Sequence, residues 1–114
     1  MYIDTHAHFD MCMKDADRKE TDILAIMNTE NVQRAVHVSI DVEGLSWAYD
    51  FSKAHKDEGI SFTLGIHPSS SASDQELNIL SEMVDTVKGN NDASLLFGIG
   101  ETGLDYYRMR KPVD

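Results

Sequence analysis

The sequence predicts an α/β protein built on a parallel sheet, with elements in the order β-α-β-α-β-α-β. Three observations carry this. Four short apolar, β-rich runs alternate with three helical stretches, and such alternation implies a parallel sheet with helices packed on it. The strand centres at Ile3, Val36, Phe62 and Phe97 lie 33, 26 and 35 residues apart, and one βαβ unit takes about 30 residues or more. Ala35-Val36-His37-Val38 and Leu95-Leu96-Phe97 are continuous rather than alternating, the pattern of strands buried on both faces.

The first strand is expected over Met1–Thr5 and the first helix over about Asp17–Asn31, with Ile23, Leu24, Ile26 and Met27 on one face. Asp17 and Glu20 have the spacing of a capping box, in which two side chains satisfy the free amides of a helix start. The second strand, Ala35–Ile40, leads to a helix over about Glu43–Glu58 that stops at Gly59, since glycine adopts the left-handed conformation that closes helices. The third strand, Ile60–Ile66, runs into the loop Ser69-Ser70-Ser71-Ala72-Ser73. A helix then covers about Asp74–Lys88. Leu77, Leu80, Met83, Val84 and Val87 give it an apolar stripe, Ser73 and Glu76 its capping box, and Gly89 its end; the stripe has the 3.6-residue period of a helix packed on one side. The fourth strand is Leu95–Gly100. Residues 101–114 read as a loop with no helix behind it, the layout expected of one domain that is half of a larger fold.

Of the 114 residues, 41% are hydrophobic and 26% charged, close to globular averages, which excludes disorder along the whole chain. The net charge of -10 excludes a general electrostatic binder of nucleic acid, because phosphate contacts need Lys and Arg. Local action on phosphates stays open, since bound metal ions can reverse the field of a site. Cys12 is the only cysteine, so no intrachain disulfide forms, which fits a reducing compartment. The N-terminus has no signal-peptide pattern and no run approaches the ~20 apolar residues of a membrane span. A soluble, cytoplasmic protein with no membrane partner is expected.

Ligand-type residues gather where the strands end. His6 and His8 form an H-x-H pair at the end of the first strand, where side chains two apart point the same way, so two imidazoles can converge on one ion. Asp4 shares that parity and could orient a ligand histidine through its second ring nitrogen. Alone, the pair is also what two surface histidines look like. His67 sits in Gly65-Ile66-His67-Pro68, where proline ends the third strand. Glu101 follows the fourth strand in Gly98-Ile99-Gly100-Glu101-Thr102-Gly103-Leu104-Asp105; glycines there permit close backbone approach, and the carboxylate could ligate one ion or bridge two. Asp105 fits the same rim or a loop cap. Three parallel strands thus present imidazole or carboxylate at their C-terminal ends, the side where α/β sheets bind ligands. Such a donor set suits Zn, Mn, Fe or Mg.

Other residues read more plainly. His37, inside the second strand, is expected to be a core histidine with its polar atoms satisfied, His55 a solvated residue on the second helix, and Cys12 a structural thiol. Tyr106, Tyr107 and Arg108 could stack on a base or hold a phosphate, or pack the loop against the rim. The sequence carries no nucleophile elbow, phosphate-binding Gly-Lys loop or zinc ribbon.

The segments Ile3-Asp4-Thr5-His6-Ala7-His8-Phe9-Asp10, Gly65-Ile66-His67-Pro68 and Gly100-Glu101-Thr102-Gly103-Leu104-Asp105-Tyr106 resemble, in order and separation, the N-terminal part of TatD-like metal-dependent deoxyribonucleases, within the amidohydrolase-type barrel hydrolases. The resemblance implies half of a TIM-type (β/α)8 barrel, a fold that typically takes ~250 residues, with one or two divalent ions (Mg, Mn or Zn) at its C-terminal face. It implies that His6 and His8 ligate one ion and that Glu101 bridges two. His67 would contact substrate or a metal-bound water, and Asp10 and Asp105 would shape the site behind the ligands. Family members run to about twice this length, and their second half supplies two further histidines and an aspartate. The expected reaction is hydrolysis of phosphodiester bonds in DNA, at ends or in single strands. The alternatives are a non-catalytic half-barrel that self-associates through its open sheet edges, or a related hydrolase of amide, ester or lactone bonds.

Overall fold

The computed structural model describes residues 1–69, 71–103 and 105. Its elements are β1 (Tyr2–Ala7), α1 (Phe9–Asp15), α2 (Glu20–Thr29), β2 (Val32–Val38), α3 (Gly44–Ala54), β3 (Ile60–Leu64), α4 (Asp74–Gly89) and β4 (Leu96–Ile99). Short 3-10 turns, Lys56–Glu58 and Ala93–Leu95, lead into β3 and β4. The strands form one sheet in the order β1-β2-β3-β4, every neighbouring pair parallel. Sequential parallel strands linked by helices are the arrangement of consecutive units of a TIM-type barrel, and the fold class matches the prediction.

Apolar side chains of the helices and the sheet meet in two clusters. Leu45, Ala48, Tyr49, Phe62, Leu64 and Val87 join α3, β3 and α4, with Leu80, Met83 and Val84 packed against them. Phe9, Met27, Ala35, Phe51 and Ile60 join α1, α2, α3 and the strands, with Ile23, Leu24 and Trp47 alongside. The stripes foreseen for α2 and α4 therefore face the core, except Ile26 and Leu77, which are exposed. The expectation of strands buried on both faces holds for Ala35–Val38 and fails for β4, where Phe97 is 67% exposed. The reason is position: β1 and β4 are the edges of the sheet, and Phe97 points away from the face on which Leu96 packs, as successive strand residues do.

Helix ends follow local chemistry. At α4 the foreseen capping box forms: Glu76 N–H donates to Ser73 Oγ at 3.2 Å, and Ser73 N–H donates to Glu76 Oε1 at 3.2 Å. At α2 the box shifts by two residues. Asp22 Oδ2 accepts from Lys19 N–H at 3.1 Å, because Asp17 lies in the left-handed conformation (φ 49°) that closes the preceding helix. Gly59 takes φ 81° as its stop role requires, and a Cβ there would stand 2.3 Å from the Gln33 carbonyl oxygen. At the end of α4 the left-handed residue is Asn91 rather than Gly89.

Two expectations are corrected. Helix α1 stands between the first strand and the first predicted helix, where no element was predicted. Seven residues are too few to show a period, and isolated helices this short do not hold themselves together in water; α1 is held by Phe9, which is buried against Phe51 at a ring separation of 5.2 Å. His55, expected in solvent, sits at the end of α3 with its side chain 15% exposed. It is paired through Nε2 with Glu20 and through Nδ1 with Glu58, which ties α3 to the start of α2. Cys12 is exposed on α1.

His37 is the core histidine foreseen, 1% exposed. Its Nδ1 accepts from Phe9 N–H at 3.1 Å, and its ring lies 5.0 Å from that of Trp47. Burial pulls its pKa down from 6.5 to about 4, against an opposing pull from Asp10 and with a smaller push from His8. The folded state therefore disfavours the proton that the unfolded chain accepts. The stability this contributes is present above about pH 6.5 and is lost as the pH falls through about 4, on the order of 3 kcal/mol in all. Urea midpoints taken across that window are expected to fall steeply for the wild type. They should fall less for His37→Asn, which keeps an acceptor for Phe9 N–H; parallel curves would count against His37.

Candidate metal centre

The site lies on the rim formed by the C-terminal ends of β1, β3 and β4. β1 carries one extra residue relative to β2 between Asp4 and Ala7, and such a bulge redirects side chains. His6 is in that bulged stretch, and His8 follows the strand (φ -118°, ψ 82°) as the residue before α1. Their rings meet edge to face, 5.0 Å apart. His8 Nδ1 lies 2.8 Å from the Val38 carbonyl oxygen. A carbonyl only accepts, so His8 donates from Nδ1 and its neutral ring turns the Nε2 lone pair outward.

Glu101 is set in place by β3. Gly100 N–H donates to the Leu64 carbonyl at 2.9 Å, and Thr63 Oγ1 donates to the Gly100 carbonyl at 2.9 Å. Gly65 lies under that peptide, where a Cβ would come within 2.2 Å of Gly100 C and 2.7 Å of Glu101 N. So held, the carboxylate faces three imidazoles. Oε2 stands 3.3 Å from His6 Nε2 and 3.9 Å from His8 Nε2, and Oε1 stands 3.4 Å from His67 Nε2. His67 is anchored by its own N–H, which donates to the Ile40 carbonyl at 2.7 Å and ties the ends of β2 and β3.

The structure thus brings together His6, His8, His67 and Glu101. One ligand atom from each of His6, His8 and Glu101 falls within 4.8 Å of the other two. Two imidazoles and a carboxylate, one imidazole oriented by a backbone carbonyl, fit a divalent ion of the Zn, Mn or Mg kind.

Asp4 and Asp10 both accept from backbone amides. Asp4 Oδ1 accepts from the backbone N–H of His6 at 3.0 Å, so the hydrogen bond it makes holds the bulged strand rather than an imidazole. Asp10 Oδ1 accepts from Met11 N–H at 2.8 Å and acts on His37 from a distance. Asp105 is half-buried. Tyr106 and Arg108 lie outside the described residues.

A cavity of about 330 Å³ opens beside the cluster, lined by His8, Met11, Ile40, Asp41, His67, Ser69 and Glu101. Met11, Ile40, Asp41 and Ser69 escaped the sequence reading. Met11 rides on the unforeseen α1, while Ile40 and Asp41 follow β2 and could have been found by applying the strand-end rule to the second strand as well. A larger concavity of about 880 Å³, bordered by Ile3, Arg34, Lys56 and Phe97, contains none of the four converging residues.

A family model described as TatD related DNase matches residues 3–114, a span that includes the H-x-H, G-I-H-P and G-E-T-G segments. Comparison with curated proteins gives no match. With the match running over nearly the whole chain and its metal-type residues gathered on one rim, the chain belongs to the TatD related DNase family.

Proposed function

We propose that this chain is a metal-dependent hydrolase of DNA phosphodiester bonds, acting at ends or single strands in the cytoplasm. In this reading residues 1–114 are one domain, the N-terminal half of a (β/α)8 barrel. The observation that carries the reading is the convergence of His6, His8 and Glu101 at the C-terminal rim. These three would hold a divalent ion, which would supply Lewis-acid charge to a phosphoryl oxygen and make water more acidic. His67, with Nε2 on the same rim, sits within reach of a substrate oxygen. The composition supports local engagement of this kind: a net charge of -10 argues against a long cationic track, so binding of DNA is expected to depend weakly on salt.

Elemental analysis of gel-filtered protein after incubation with Mn or Zn tests the site. About one or two ions per chain are expected, lost in the His6→Ala/His8→Ala double variant, together with metal-dependent cleavage of single-stranded DNA. A wild-type chain that retains no metal overturns the reading.

A further inference from the structure

The two rim histidines bordering the cavity are wired in opposite senses. The ring of His8 donates from Nδ1 to Val38, which leaves Nε2 as a lone-pair donor to a metal. The ring of His67 is approached at Nδ1 by two groups of Ser69: the backbone N–H at 3.0 Å and the hydroxyl at 2.8 Å. A backbone N–H only donates. His67 Nδ1 must therefore accept, and the proton of its neutral ring stands on Nε2, the atom 3.4 Å from Glu101 Oε1.

We propose that Ser69 is a positioning residue: by donating to His67 Nδ1 it fixes the ring proton on Nε2, so that His67 presents an N–H rather than a lone pair toward Glu101 and stays outside the metal's ligand set. The local chain explains why Ser69 can do this. Pro68 disfavours the helical region for His67, and a side chain there that accepts from the amide two residues on closes the kind of turn aspartate and asparagine make. The consequence is a division of the carboxylate. Oε1 faces His67 Nε2, while Oε2 is turned to His6 and His8. A donor on one oxygen orients a carboxylate as the hydrogen-bonded neighbours of metal ligands do. The same Nε2–H is the group that a phosphoryl oxygen entering the cavity would meet.

The proposal rests on the preceding reading only in treating Glu101 as a ligand; the state of the ring can be read without metal. Long-range 1H–15N correlation of the imidazoles in metal-free protein, at about pH 8.5 where histidines are neutral, separates the two tautomers. His67 is expected in the Nε2–H form and His8 in the Nδ1–H form. An Nδ1–H signature for His67 overturns the proposal. Ser69→Pro, which removes the amide donor and the hydroxyl, is expected to release His67 into a mixture of both forms while His8 keeps its signature. A purely structural loop residue would not move this signal, so His67 remaining wholly Nε2–H in that variant also overturns the proposal. A wild type with the expected tautomers that nevertheless binds no Mn or Zn refutes the proposed function and leaves the wiring intact.

Discussion

Glu101→Ala is expected to lower affinity for Mn or Zn by at least about 100-fold, a loss of roughly 2.7 kcal/mol or more, and to reduce metal-dependent cleavage of DNA to background. The carboxylate is the point on which three imidazole Nε2 atoms converge, at 3.3, 3.9 and 3.4 Å. Without it the cluster has only neutral nitrogen donors, and no negative charge remains among them to offset that of a divalent ion. The fold should survive, because Glu101 belongs to neither apolar cluster and surface substitutions away from caps and cores usually fall within about 0.5 kcal/mol. Titration calorimetry with Mn and far-ultraviolet circular dichroism give the two readings. Glu101→Gln refines the test, since it keeps the shape of the side chain and removes the charge: it should lose most of the affinity as well. Wild-type affinity in Glu101→Ala would exclude the carboxylate as a ligand, and a lost helical spectrum would make it a structural residue.

What the sequence made legible was chemistry at strand ends. The H-x-H pair, G-I-H-P and G-E-T-G each follow a strand whose apolar run marks its course, so parallel pairing alone brings their polar residues to one rim. Helix α4 was equally plain, with a periodic stripe and a Ser73–Glu76 box that forms as spaced. Less visible were features that depend on partners distant along the chain. Helix α1 exists because Phe9 finds Phe51, and His55 leaves solvent because Glu20, thirty-five residues earlier, stands opposite it. The hydrogen bond of Asp4 goes to a backbone amide because the strand bulges there, and a bulge has no signature in residue types of this kind. The opposed wiring of His8 and His67 also lies beyond any motif, since it turns on which backbone atom each Nδ1 meets.

Gly65 is the sharpest case of such dependence, and it yields the second large effect. Nothing in Gly65-Ile66-His67-Pro68 says why the first position is glycine. The answer lies at Gly100, whose carbonyl carbon and oxygen would stand 2.2 and 2.3 Å from a Cβ on residue 65. These are backbone atoms, fixed by hydrogen bonds to Leu64 and Thr63, so they cannot swing aside as the tip of a flexible side chain could. Gly65→Ala must push the Gly100–Glu101 peptide off β3, break one or both of those bonds and carry the carboxylate away from the histidines. Overpacking of this sort costs about 1–3 kcal/mol, so the urea midpoint should drop. Metal affinity should fall further than stability alone accounts for, by about 10–100-fold, as for other losses of the groups that orient a ligand. Gly98→Ala is the matched control, because a Cβ there meets nothing within 4 Å among the described residues and should leave both quantities nearly unchanged. If Gly65→Ala binds Mn as the wild type does, close contact between the ends of β3 and β4 is not what places Glu101. If it loses stability and metal together while Gly98→Ala loses neither, the glycine of this motif is there to let a neighbouring strand deliver its carboxylate.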